Sequence, residues 1–254
     1  MAKFNIHAGH GPDGKIGCGA VGIIKESTQA RKVKNYLLEY LKEEGHTVYD
    51  CTCDNGRNAG DILMKIVDKC NKHDVNLDVS IHFNSGARDE KGNGRTTGVE
   101  VLIYSNTSKA KPYAERICKK VAALGFKNRG VKVRKDLYFL RKTTSPALLV
   151  ECCFVDDKDD CNIYAAKKMA KAIAEGILNK DLNNSDGRLH IGQKLSLNNC
   201  PCYKSAYAEE SSNRKTGTYY LYSTDVVKNR VKITNSIENI GKDVTGWIDL
   251  KNVK

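Results

Sequence analysis

Apolar positions along this chain follow two periods in alternation. Lys3-Phe4-Asn5-Ile6 alternates as a strand does, whereas Val33, Leu37, Leu38 and Leu41 give Ser27 to Glu44 the stripe of a helix, ended by Gly45. The succession then repeats. Thr47 to Cys51 reads as a strand, and Asp61 to Asn71 as a helix with Ile62, Ile66 and Cys70 in four-residue steps. Leu77 to Phe83 and Gly98 to Tyr104 read as strands, and Tyr113 to Leu124 as a helix. Leu137 to Leu140 and Ala147 to Phe154 read as short strands, and Asp159 to Leu178 as one long amphipathic helix. Strands alternating with helices predict an α/β domain whose mostly parallel sheet is flanked by helices.

The pattern changes near Lys180. Residues 181–188 are polar and aperiodic, as a linker is. Beyond them come only short β segments, at Lys194 to Leu197, Gly217 to Tyr222, Arg230 to Thr234 and Gly246 to Leu250. About 65 residues of short strands and polar turns predict a small β-barrel, near the lower limit for independent folding. The expected organisation is a domain over 1–180, a linker over 181–188 and a second domain over 189–254.

Composition adds a bias toward anionic partners. The 254 residues are 40% hydrophobic and 28% charged, enough for a real core. The net charge of +12 favours nucleic acid, anionic membrane or an anionic cell wall. Eleven basic residues lie between Lys111 and Lys142 against only Glu115 and Asp136. Charge alone does not choose among these partners. The start, Met1-Ala2-Lys3-Phe4-Asn5, has no apolar signal core, and no stretch reaches transmembrane length. Synthesis in a reducing cytosol is therefore expected, with the ten cysteines mostly as thiols. Cys51-Thr52-Cys53 and Cys200-Pro201-Cys202 have one-residue spacers, shorter than structural zinc sites use.

Candidate chemistry begins after the first strand, where Asn5 to Gly14 forms a glycine-rich loop carrying His7 and His10. In α/β proteins ligands gather outside the carboxyl ends of the strands. Glu26 opens the first helix, His82 ends a strand, and Glu151 interrupts the apolar run Ala147 to Phe154. A carboxylate in such a run is costly to bury unless paired, metal-bound or protonated. Two imidazoles and a carboxylate with an open position make a hydrolytic zinc site, and a separate carboxylate moves the proton. His10, Glu26 and His82 suit the first role and Glu151 the second. Glu100 also interrupts an apolar strand, and alternation places it on the solvent side of an edge strand. Asp156, Asp157, Asp159 and Asp160 read as a solvated acidic loop at a helix N-terminus. Gly9 to Lys15 nearly spells a phosphate loop, but Ile16 stands where a hydroxyl is needed.

These segments resemble the zinc-dependent N-acetylmuramoyl-L-alanine amidases with a Gly-His-Gly loop, found in bacterial autolysins and phage endolysins. The likeness runs from residue 3 to about 178. It is carried by Ala8-Gly9-His10-Gly11, Glu26, Ser80-Ile81-His82-Phe83-Asn84-Ser85 and Pro146 to Phe154. His7 and Ala8 stand where that family commonly has an acidic residue and a proline. The resemblance implies Zn2+ held by His10, Glu26 and His82, with His7 a strand-end group, Glu151 catalytic and Asn84 a substrate contact. Gly217-Thr218-Tyr219-Tyr220, Asn229 to Thr234 and Thr245-Gly246-Trp247-Ile248 resemble a bacterial SH3-like wall-binding module. That likeness makes Tyr219, Tyr222 and Trp247 candidate wall contacts. The implied function is hydrolysis of the amide between N-acetylmuramic acid and L-alanine in peptidoglycan, as a phage endolysin released from the cytoplasm through a holin-type pore or at lysis. Expected partners are peptidoglycan and anionic wall polymers, without nucleic acid and without a membrane segment. The alternatives are a zinc endopeptidase of the stem peptide and a wall-polymer binder without catalysis.

Overall fold

Six strands build the N-terminal sheet: β1 (Lys3–Ala8), β2 (Thr47–Asp50), β3 (Leu77–Asn84), β4 (Val99–Ile103), β5 (Asn128–Val133) and β6 (Ala147–Phe154). The computed structural model describes residues 1–182, 189 and 191–253, so the expected linker lies outside the described residues from 183 to 188. Strand order is β2-β1-β3-β6-β4-β5. All pairings are parallel except β4 with β6. The exception has a simple cause. Residues 85–98 connect β3 to β4 without a helix, whereas parallel return needs a long crossover.

Alternation in each strand divides the sheet into two faces. Phe4, Ile6, Val79, Ile81, Val101, Val150 and Cys152 join the larger core. That core also receives the apolar stripes of α1 (Glu26–Glu43), α3 (Lys111–Ala122) and α6 (Ala166–Leu178). The opposite face is more polar. Ala147 and Leu149 pack there with residues of α2 (Ala59–Cys70) and α4 (Tyr138–Lys142). Upper positions of this second face hold His82, Glu100 and Glu151.

Three expected elements differ. Leu137 to Leu140 is not a strand but leads into α4; so short an apolar run has no period to separate the two states. The single helix over Asp159 to Leu178 is two, α5 (Lys158–Ile163) and α6, parted at Tyr164 and Ala165, whose backbones are extended. Strand β5 lies in the basic stretch, where only Val131 and Val133 alternate to announce it. It is one of the sheet's two edges, where charged side chains also discourage pairing with another chain.

The chain divides into compact units at Met1–Leu182 and Asn183–Lys254. Leu182 is buried with the N-terminal core. The second unit is an antiparallel sheet of β7 (Lys194–Cys202), β8 (Asn213–Leu221), β9 (Arg230–Thr234) and β10 (Gly246–Asp249), in the order β10-β9-β8-β7. Its core is Leu195, Leu197, Cys200, Cys202, Leu221, Val231, Ile233 and Ile248. The sheet is not a closed barrel. One isolated bridge, Tyr203 to Trp247, joins the chain after β7 to β10.

Candidate active site

The carboxyl ends of β1, β3 and β6 meet the first turn of α1. His10 lies just past β1, and its Nε2 is 3.2 Å from Glu26 Oε1. His82 Nδ1 is 3.0 Å from the same oxygen. One ligand atom from each of His10, Glu26 and His82 lies within 4.8 Å of the others. Backbone donors fix the carboxylate between them: Phe83 N–H reaches Oε1 at 3.1 Å and Ala20 N–H reaches Oε2 at 2.7 Å. Burial opposes ionisation of Glu26, but hydrogen bonds from His10 and His82 outweigh it and hold its carboxyl well below the usual range. Burial pushes His82 the other way, toward the neutral ring, against the pull of Glu26.

Two glycines make this convergence possible. A Cβ on Gly9 would sit 1.8 Å from His82 Nε2. One on Gly19, whose φ is +80°, would lie 2.5 Å from Glu26 Oε2 and 2.7 Å from the His10 ring. Arg31 and Ser27, unremarked in the sequence, pin the loop from α1. Arg31 Nη2 donates to His10 O at 2.8 Å, and Ser27 Oγ to Gly11 O at 2.6 Å. Their signal was only that one helix turn follows another at four-residue spacing. Two imidazole nitrogens and a carboxylate form a donor set suited to zinc.

Glu151 lies in register with His82 on one side and Glu100 on the other. Its Oε2 is buried and has no hydrogen-bond partner among the described residues. Burial first, then the negative charges of Glu26 and Glu100, push its carboxyl up to about 8, with Arg134 opposing. A group poised there exchanges protons near neutrality.

Glu100 departs from expectation. Its strand is interior rather than an edge, and the carboxylate is held instead of solvated. Asn84 Nδ2 donates to its Oε1 at 3.0 Å and Arg129 Nε to its Oε2 at 2.8 Å. The Arg129 guanidinium also lies 4.9 Å from the Phe154 ring centre. Asn84 therefore spends its amide on Glu100, while its Oδ1 accepts from Ser85 N–H at 2.9 Å. His7 stays apart from the cluster, buried edge-on to Phe139 at 4.6 Å.

The acidic loop is not solvated either. Asp157 and Asp160 are fully buried. Asp157 caps α5 through Asp160 N–H and accepts from Thr97. Asp160 accepts from Gly98 and Phe154 N–H groups, and Asp159 from those of Asn93, Gly94 and Arg95. Asp89, Asp157 and Asp159 do bring carboxylate oxygens within 4.8 Å, but these loop donors already account for two of them.

In the C-terminal unit, Tyr219 packs against the small core and Tyr222 is half-buried. Trp247 lines an open cleft together with Tyr203, Lys204 and Lys232.

Comparison with known proteins agrees with this geometry. Residues 5–180 match the family model of N-acetylmuramoyl-L-alanine amidases. An uncharacterised protein of Clostridium perfringens is 37% identical over 72% of this chain and 53% of its own. The endolysin of Bacillus phage SPP1 is 30% identical over 67% of this chain and 61% of its own. The chain thus spans little more than half the length of these relatives. The solved catalytic domain of the CD27L endolysin targeting Clostridia difficile superposes with a TM-score of 0.64 at 31% identity, covering 72% of this chain and 100% of that domain. By that match and that fold, the chain belongs to the N-acetylmuramoyl-L-alanine amidase family.

Proposed function

We propose that the N-terminal unit hydrolyses the amide between N-acetylmuramic acid and L-alanine in bacterial peptidoglycan. The observation that carries this is the meeting of His10, Glu26 and His82 beside Glu151 at one end of the sheet. His10, Glu26 and His82 would hold Zn2+, which supplies Lewis acidity for activating water and polarising the scissile carbonyl. Glu151 takes a proton from the attacking water and returns it to the departing nitrogen of L-alanine. Water's oxygen ends on the lactyl carbon, the C–N bond breaks, and the products are a lactyl carboxylate and a free amino terminus. Arg31 and Ser27 keep the His10 loop in place, and Arg129 fixes Glu100 beside the proton carrier.

The C-terminal unit, read as an SH3-like module, holds the wall through its Trp247 cleft. Net charge of +12 supports attraction to anionic wall polymers. Likeness to two endolysins supports lysis of a phage host as the setting. No helix among the described residues is long and apolar enough to cross a membrane.

Mass spectrometry of fragments released from purified peptidoglycan tests the proposal. Stem peptides beginning at L-alanine, without new reducing sugars, are expected. New termini inside the stem would assign an endopeptidase, and no release at all would leave a binder.

A further inference from the structure

The family match ends at residue 180 and leaves the C-terminal cleft without a ligand. This cleft, of about 520 Å³, opens between the segment after β7 and strand β10. Tyr203 lines it and is braced by Arg230. The Arg230 guanidinium lies 3.4 Å from its ring centre, paired with Asp249 at 3.0 Å and bonded to the carbonyls of Ala206 and Ala208. Trp247 lines it as well. The two residues are tied by backbone hydrogen bonds of 2.8 and 2.9 Å between Tyr203 and Trp247. The cleft is thus preformed, which spares a ligand the cost of ordering it.

Its chemistry is one-sided. Lys204 and Lys232 line it with Ser212 and Asn213, and no carboxylate does. Neither ammonium has a carboxylate partner among the described residues. The Lys232 ammonium lies 5.2 Å from the centre of the indole ring. An apolar plate suits the C–H face of a sugar, and the hydroxyl and amide of Ser212 and Asn213 suit its polar substituents. With the cation beside the plate, an anion carried on the stacked sugar itself is the one best placed to pair with it.

We propose that this cleft binds a saccharide bearing its own carboxylate, namely the N-acetylmuramic acid unit left after the stem peptide is removed. The inference rests on the amidase reading above. In intact peptidoglycan the lactyl carboxyl is locked in the amide, and remaining carboxylates sit out on the peptide. Hydrolysis frees it on the sugar itself. The C-terminal unit would then hold the chain on glycan that has already been cut.

Trp247 is the chain's single tryptophan, so its fluorescence reports the cleft directly. The full chain carrying Glu151→Gln and stripped of metal, which together suppress conversion of intact material, is titrated with four probes. These are glycan strands stripped by an independent amidase, soluble strands with stems intact, teichoic acid and a single-stranded oligonucleotide. A saturable change is expected with stripped strands, at least about tenfold tighter than with the other three, the equivalent of 1.4 kcal/mol. Lys232→Gln and Lys204→Gln, each with unchanged melting, should weaken it about fivefold, the upper range for a partly exposed ion pair. Lys204 is on an exposed loop, so its variant folds even if the other does not.

Equal affinity for strands with intact stems overturns the preference and leaves wall binding standing. Tighter binding of teichoic acid or oligonucleotide overturns the assigned ligand. No change with any probe overturns both the cleft and the wall-binding reading of this unit. Since stripped strands are supplied, none of these outcomes depends on whether the N-terminal unit cuts the amide.

Discussion

Replacing His7 should make the N-terminal unit more resistant to mild acid. His7 is 1% exposed, its Nδ1 lies 3.2 Å from Ala8 O, and its Nε2 has no partner among the described residues. Burial is the main reason its pKa falls from 6.5 to about 3. A folded-state pKa below the unfolded value means the unfolded chain takes up the proton first. The His7 contribution is therefore complete above 6.5 and drains away as pH falls toward 3. From pH 7 to pH 5 the loss comes to about 2 kcal/mol by linkage. His7→Leu keeps similar volume against Phe139 and cannot titrate. The measurement is urea unfolding of metal-stripped protein by far-ultraviolet circular dichroism, at pH 7, 6 and 5. Among the described residues all six α-helices lie between Glu26 and Leu178, so this signal follows the N-terminal unit, whereas tryptophan fluorescence would follow the other. The variant should gain on the wild type by about 2 kcal/mol across that interval. A gap that stays constant from pH 7 to pH 5 would refute a neutral, buried His7.

Glu151→Gln should keep one zinc per chain and lose on the order of a hundredfold or more in turnover, since only proton transfer is removed. Glu26→Ala and His82→Ala should lose metal and activity together; metal analysis showing the reverse pattern would exchange the two carboxylate roles. Gly9→Ala forces a methyl into the His82 ring, and chelator competition should show zinc affinity lower by about ten- to a hundredfold or more. A chain truncated after Leu182 should fold, bind zinc and cleave soluble wall fragments, with slower clearing of whole cells; an insoluble or metal-free product would mean that the N-terminal unit needs the rest.

How much of this was legible varies with the kind of signal. The α1 stripe of Val33, Leu37 and Leu41 and the apolar run of β6 are long and periodic, and both elements stand within a residue or two of expectation. His10, Glu26, His82 and Glu151 were visible because each breaks its surroundings, a polar group at a strand or helix end. Glu100 broke its strand in the same way and was misplaced. Alternation gives the face of a strand but not its place in the sheet, and an antiparallel β4 beside β6 needs the pairing itself. Asp157 and Asp160 were misread because most of their partners are backbone N–H groups, several in the distant segment at Thr97 and Gly98, which no side-chain pattern records. The edge strand β5 was missed for the opposite reason. Its charges are what an edge requires and what a strand search rejects.

The position of β6 bears on how the protein comes to exist during synthesis. Strands β3 and β4 are neighbours in sequence, yet β6 lies between them in the sheet and is translated after both. In a nascent chain ending before Ala147 the finished pairings allow only β2-β1-β3 and β4-β5, and the edges of β3 and β4 that β6 will cover have no partner. Such non-local closure is slow, and its unpaired edges favour aggregation until it completes. The same strand brings Glu151. Ribosome-bound or proteolysed chains short of residue 151 thus carry the His10, Glu26 and His82 side chains without Glu151, the residue proposed above to move the proton, and the closing strand is what brings it to them.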